Sequence, residues 1–292
     1  MTPAPDDDRH GTLPGPVTAP DVVVELAHWI AAQVQPGRTL IVGLNGAQGS
    51  GKSTLAARLR QLLQQVHGHT TCVVSIDDFY ATRAQREVLA RTVHPLLRTR
   101  GVPGTHDIGL ALRVLERLRG LGSSESLRLP RFIKAQDDRA PEGTGERVSG
   151  PIQIVLLEGW CVGTPPQDMA DLAEPINRLE AEEDRDAVWR RHVNAQLGAG
   201  YASLFASLDR LVVLQAPAFE VVHRWRLQQE ADNAAAAPDG AHVMDPPALE
   251  RFIAHYERLT RHALRVLPDR ADVLIELDPE RRPLAVRFRP FG

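Results

Sequence analysis

A three-layer α/β/α fold, with helices on both faces of a mostly parallel sheet, is predicted by two patterns in the chain. Short apolar runs alternate with helically spaced segments over most of its length. The first such run, residues 39–44, passes into Gly46-Ala47-Gln48-Gly49-Ser50-Gly51-Lys52-Ser53. A segment of helical spacing follows at once, with Leu55, Leu59, Leu62 and Leu63 on one side. The octet fits G-x-x-x-x-G-K-[ST], a phosphate-binding loop, and its setting between strand and helix is the one that motif requires.

The glycines let the backbone turn so that successive N–H groups point at phosphate oxygens, and the new helix adds the partial positive charge of its N-terminus. Residues 46–54, from Gly46 to Thr54, are therefore the expected nucleotide-binding stretch of a P-loop fold. Lys52 would neutralise the β- and γ-phosphates, and the Ser53 hydroxyl would ligate Mg²⁺.

Bulk properties narrow the function. Hydrophobic and charged fractions of 43% and 24% are ordinary for a globular chain, and a net charge of -3 gives no reason to expect nucleic acid as a partner. No apolar run approaches the roughly 18 residues of a membrane span, and the N-terminus lacks a signal-peptide pattern. Cys72 and Cys161 fall in or beside predicted strands and read as reduced thiols of a cytoplasmic protein. Of 34 basic residues only Lys52 and Lys134 are lysine. A compact ammonium serves where a flat guanidinium does not, which makes Lys134 a candidate for function beside Lys52.

Along the chain, residues 1–18 are rich in Pro, Asp and Gly and are expected to form a disordered tail, with 19–292 a single domain. A helix is predicted over 20–33. A second buried strand, 70–76, runs into Asp77 and Asp78, and is expected to lie beside the first strand. Acids at the carboxyl end of such a strand sit where open α/β sheets place their sites, so Asp77 could accept a proton from an attacking hydroxyl or bind Mg²⁺. A third strand, 151–160, carries Glu158 at its end, where a carboxylate orients Mg²⁺ directly or through water.

Between them, about 94–150, a substrate-facing lobe is expected. It opens with a loop holding Arg98, Arg100, Gly101, Gly104, Thr105 and His106. The helix 108–121 follows, with Asp107 equally readable as its N-cap. Then come a short edge strand over 126–132 and an irregular charged segment bearing Lys134, Asp137 and Arg139. Residues 168–208 read as largely helical. Strands are predicted at 211–214, 271–277 and 284–288, and a long helix at 249–267. The helix 220–232 carries Arg224 and Arg226 beside a stretch, 234–240, that reads as mobile. Together, about 220–245, these form an expected lid over the γ-phosphate. A guanine-reading Asn-Lys-x-Asp string is absent.

The glycine loop together with Ser75-Ile-Asp-Asp-Phe-Tyr80, Leu96-Leu-Arg-Thr-Arg-Gly-Val-Pro-Gly-Thr-His-Asp107, Leu157-Glu-Gly-Trp160 and Tyr256-Glu-Arg-Leu-Thr260 resembles the D-glycerate 3-kinase family. That family stands with phosphoribulokinase, uridine kinase and bacterial-type pantothenate kinase. The resemblance implies ATP-dependent phosphorylation of the 3-hydroxyl of D-glycerate, a small anionic substrate. By position it makes Asp77 the catalytic base, Glu158 the strand-end acid and Arg226 a lid residue, with Lys52 on the phosphates. Ser53, Asp77 and Glu158 become the expected metal ligands. Asp78, Tyr80, Arg100, His106, Asp107, Lys134 and Arg139 become the expected substrate-binding set. The chain departs from the family around Ile133 and Ala135-Gln136-Asp137, where it is short. Arg98, Arg100, Lys134 and Arg139 are the cations available to a substrate carboxylate.

Overall fold

A computed structural model describes residues 19–236 and 246–289. The expected tail at 1–18 and residues 237–245 of the expected lid lie outside the described residues. The helices are α1 (Ala19–Ala31), α2 (Lys52–Gln65), α3 (Arg83–Thr92), α4 (Ile108–Arg119), α5 (Arg178–Glu183), α6 (Val188–Gln196), α7 (Ala202–Ala206), α8 (Phe219–Ala236) and α9 (Pro246–Val266). The strands are β1 (Leu40–Gly46), β2 (Thr71–Ser75), β3 (Ser126–Arg128), β4 (Phe132–Ile133), β5 (Asp138–Arg139), β6 (Arg147–Ser149), β7 (Ile154–Gly159), β8 (Arg210–Gln215), β9 (Val273–Leu277) and β10 (Pro283–Phe288).

Among the described residues the main sheet runs β10-β9-β8-β1-β7-β2, with β10 antiparallel to β9 and the other neighbours parallel. Successive side chains leave a strand on opposite faces, and both faces are apolar. Leu40, Val42, Leu44, Ile154, Leu156, Val212 and Leu214 join a core with α1, α2 and the start of α8. Ile41, Val155, Leu157, Leu211 and Val213 join another with α4, α7 and much of α9. Glu158 shares the parity of Ile154 and Leu156, so it emerges on the face covered by α2, the helix that begins at Lys52.

The expectation that the strand bearing Asp77 pairs with the glycine-loop strand is corrected. The register couples Leu44 to Glu158 and Glu158 to Ser75, so β7 lies between them. The physical reason is burial. Every residue of β7 is buried, as a central strand requires, whereas Val73 and Ser75 of β2 are partly exposed, as suits an edge.

The predicted edge strand at 126–132 is likewise corrected. Leu129, Pro130 and Arg131 interrupt it, and its two ends enter different hairpins, β3 with β6 and β4 with β5. Pro130 has no N–H to offer a ladder. The segment expected to be irregular thus contains two short ladders, with Lys134 to Asp137 forming the turn of the second and Asp137 taking a positive φ of 54°.

The outer layer is tied down by a buried ion pair. Arg258 of α9 donates to both oxygens of Glu180, at 2.8 and 2.6 Å, and to the carbonyls of Asp171 and Glu174, each at 2.6 Å. Arg258→Ala would leave Glu180 charged and unpaired, so the unfolding free energy should fall by about 3–5 kcal/mol. A urea titration read at unchanged slope checks this.

Candidate active site

The glycine loop is built for close approach. Gly51 caps α2 in the left-handed region (φ 88°) and offers no side chain to the first turn, which also lacks acidic residues. The N–H groups of that turn are therefore left for an external anion. A Cβ on Gly46 would stand 2.5 Å from Ser50 Oγ, and one on Gly49 would stand 2.7 Å from the Trp225 Cβ. Gly49 also holds φ at 76°. The backbone of Gly49 meets α8, and its carbonyl accepts from Arg281 Nε at 2.6 Å. Ala47 and Ser50 are buried, Gln48 is half-buried, and Ser53 and Thr54 are exposed at the helix start. Ser50 Oγ is buried without a hydrogen-bond partner.

Beside this loop Ser53 Oγ donates to Glu158 Oε1 at 3.2 Å, and Glu158 Oε2 is buried without a partner. An open carboxylate oxygen next to a hydroxyl is the hard donor set a Mg²⁺ ion takes from a protein while phosphates and water complete its shell. No group of three or more His, Cys, Asp or Glu able to hold a metal occurs among the described residues. These residues fit an ion bound jointly with phosphate.

Asp77 lies in the 3-10 turn Ile76–Phe79, which Ser75 caps by accepting from the Asp77 N–H. Its Oδ1 accepts from Tyr80 Oη at 2.8 Å and its Oδ2 from Lys134 Nζ at 2.7 Å. Burial by itself would lift the Asp77 carboxyl. The charges of Lys134 and Lys52, with the Lys134 and Tyr80 hydrogen bonds, outweigh burial and hold it well below the usual carboxylate range. The hairpin delivers the lysine. Phe132 N–H donates to Asp78 Oδ1 at 3.1 Å, which pins β4, and the turn two residues later carries Lys134 over Asp77. Asp78 shifts the other way, because burial outweighs Phe132 and Arg131 and raises its carboxyl.

Tyr80, His106 and Arg139 line the same corner. Arg139 donates to the Tyr80 carbonyl at 3.1 Å and to Asp107 Oδ2 at 3.4 Å, and its Nε is buried without a partner. Asp107 does cap α4, its Oδ1 accepting from Leu110 N–H at 2.9 Å. Its second oxygen faces Arg139. His106 packs on Tyr80, ring centroids 4.6 Å apart. Burial lowers the imidazole to about 4, with the Asp77 charge opposing. Arg100 pairs with Asp137 and lies over the Phe132 ring at 5.6 Å. Arg98 is not part of this group: its guanidinium turns outward to Glu87 at 2.9 Å. Arg226 of α8 lies over the Phe252 ring at 5.2 Å, and its charge is felt at Tyr256.

Several residues that hold this site gave no sequence signal. Arg86, 1% exposed, donates to the carbonyls of Ala81, Arg98 and Asp137 at 3.2, 2.7 and 2.7 Å and so joins the loop to the hairpin. On an amphipathic helix it reads as a surface arginine. Tyr256 Oη donates to the Arg100 carbonyl at 2.9 Å and Trp160 Nε1 to the Gly101 carbonyl at 3.0 Å. Gly101, at φ 127°, admits this because a Cβ there would sit 1.9 Å from Tyr256 Oη. Only the Tyr256 and Trp160 strings carried a hint, through the family resemblance.

The fold and the glycine loop define the class: this is a P-loop kinase that uses ATP on a small molecule. No family model matches the chain. It is 34% identical over 244 residues to an uncharacterized kinase of Schizosaccharomyces pombe, an overlap of 80% of this chain and 85% of that one. It is 32% identical over 264 residues to the chloroplastic D-glycerate 3-kinase of Arabidopsis thaliana, covering 84% of this chain but 54% of the plant protein's length. Among solved structures, D-glycerate 3-kinase from Cryptococcus neoformans superposes with a TM-score of 0.74 over 92% of this chain and 97% of that one, at 24% identity. The chain belongs to the D-glycerate 3-kinase family of P-loop kinases. No helix among the described residues is long and apolar enough to cross a membrane.

The Asp77–Lys134 pair makes a prediction about acid stability. A carboxylate whose folded pKa is depressed contributes stability that is full above its unfolded value near pH 4 and is lost as pH falls below it. Lys134→Met should lift the Asp77 carboxyl toward that value and flatten this loss. Urea titrations at about pH 3 and about pH 6 should show a smaller difference in the variant than in the wild type.

Proposed function

We propose that this kinase transfers the γ-phosphoryl group of ATP to the 3-hydroxyl of D-glycerate, giving 3-phosphoglycerate. The observation that carries the reading is the set of charges around Asp77. Tyr80 and Lys134 meet its two oxygens at 2.8 and 2.7 Å, and Lys52 of the glycine loop also acts on it. A hydroxy acid brings both a proton for a carboxylate to accept and a carboxylate for a lysine to hold.

Asp77 is then the base for the 3-hydroxyl, and Lys134 the group that exchanges its hold on Asp77 for the substrate carboxylate. That exchange has a chemical consequence: with Lys134 withdrawn, the Asp77 pKa rises and the carboxylate becomes a better proton acceptor. Arg139, with an unpartnered buried Nε, is the second cation for the acid, and Arg100 orders the hairpin through Asp137. Asp78, His106 and Asp107 shape the acid's pocket. Lys52 and the N–H groups of residues 46–54 hold the phosphates, and Arg226 is the lid cation. Mg²⁺, with Ser53 and Glu158 as its protein oxygens and Asp77 within the same strand-end group, would neutralise phosphate charge when bound. Residues 94–150 serve as the substrate lobe and 220–245 as the lid of one kinase domain. The buried free thiols Cys72 and Cys161 fit a cytoplasmic setting.

A nucleoside acceptor fits less well. Phe132, the aromatic of the hairpin, is 4% exposed and is covered by Tyr80, whose ring stands edge-on at 5.1 Å, and by Arg100. No open ring face is left there for a base to stack on.

ATP consumption compared with D-glycerate, pantothenate and uridine as acceptors tests the substrate, and D-glycerate should be the one that raises turnover. Asp77→Asn should lower kcat on D-glycerate by about 10²–10⁴-fold, the range for loss of a general base. A variant with near-full kcat would remove Asp77 from that role.

A further inference from the structure

His106 Nδ1 lies 2.5 Å from the phenol oxygen of Tyr201, while its Nε2 is buried and has no hydrogen-bond partner. The Tyr201 side chain is fully buried, and its oxygen already accepts the Gly104 N–H at 3.1 Å. A phenol has one proton to donate, and a neutral imidazole has one nitrogen that donates and one that accepts. Two arrangements satisfy the 2.5 Å contact. If Tyr201 donates to Nδ1, the phenol is satisfied and the imidazole proton sits on Nε2. If Nδ1–H donates to Tyr201, both the phenol proton and the Nε2 lone pair are buried unmatched. The first arrangement leaves one buried group unmatched, the Nε2–H, and the second leaves two, so the first prevails. The ring stays neutral because burial holds it far below ordinary histidine.

Tyr201 ends the kinked turn Leu197–Tyr201 between α6 and α7, where Ala199 departs from helical geometry at φ -104° and ψ -112°. Here the turn brings a phenol from the outer helical layer under the loop that carries His106.

We propose that Tyr201 fixes His106 as its Nε2–H tautomer, so that the free N–H of this ring, which packs on Tyr80, donates to an anionic oxygen of the acceptor substrate. His106 is then a donor that selects a carboxylate-bearing substrate, and Tyr201 is a positioning residue acting through it. This rests on the reading that a hydroxy acid occupies the space beside Asp77, but the tautomer itself is independent of the substrate.

The test combines spectroscopy and kinetics. Imidazole nitrogen shifts from long-range heteronuclear NMR on the wild-type enzyme should report His106 protonated at Nε2. Tyr201→Phe should move the population toward Nδ1–H and raise the KM for D-glycerate roughly tenfold, the worth of one buried hydrogen bond, with the KM for ATP unchanged. His106→Gln, whose amide nitrogen reaches the place of Nε2, should keep the KM within about threefold of wild type, whereas His106→Asn, which reaches only the place of Nδ1, should match the Tyr201→Phe loss. An Nδ1–H tautomer in the wild type overturns the assignment even if D-glycerate is phosphorylated. An Nε2–H tautomer supports it even if D-glycerate is not. Equal KM values in the Gln and Asn variants would overturn the donor function of His106.

Discussion

A parallel sheet buried on both faces leaves polar side chains no place along its strands. The two apolar cores, one under α1 and α2 and the other under α4, α7 and α9, exclude charge from everything between the strand ends. Polar groups are therefore pushed to the carboxyl rim, where β1 opens into the glycine loop, β7 carries Glu158 in its last pleat and β2 leads into Asp77. The register places Leu44, Glu158 and Ser75 in one row, so these three strand ends share a short stretch of rim. The N–H groups of the glycine loop, a free carboxylate oxygen of Glu158 and the carboxylate of Asp77 become neighbours as a consequence of that row.

The second half of the site reaches the rim from outside the sheet, and it is held differently. The 94–107 loop has one backbone bridge, His106 with Tyr80, and is otherwise held by side chains. Its carbonyls are taken by Arg86, Tyr256 and Trp160, and Tyr201 takes the Gly104 N–H. A small apolar cluster of Leu96, Leu97, Val102, Leu179 and Trp189 lies beneath it. Buried side-chain donors on main-chain acceptors fix a loop as firmly as a strand partner would, since breaking one strands a polar group in the interior. The β4–β5 hairpin is fastened in the same manner, by Asp78 to Phe132 and by Asp137 to Arg86 and Arg100.

Lys134 shows why position matters more than charge count. Arginines are abundant in this chain, yet those at 86, 98 and 100 are occupied with carbonyls, Glu87 or Asp137. The lysine stands on an exposed turn and its ammonium pairs with Asp77, and a flexible ammonium there can change partners at low cost.

How much could be read from residues alone follows the range of the forces involved. The glycine loop, the apolar strands and the amphipathic helices are local patterns, and they gave the strand–loop–helix unit, the layered α/β class and the strand-end acids Asp77 and Glu158. Strand order was not legible, because nothing local in 70–76 says that β7 intervenes; burial across the whole sheet decides it. The hairpin at 132–139 was not legible either, because two-residue strands are specified by an external carboxylate, Asp78, and not by their own alternation. Arg86, Tyr201 and the outward turn of Arg98 were hidden for the same reason. The sequence by itself determined which chemistry the chain carries, since backbone turns and periodicity are written in neighbouring residues. Tertiary structure alone decided which of its many cations and three phenols meet that chemistry, since hydrogen bonds between residues tens of positions apart exist only once both cores have closed.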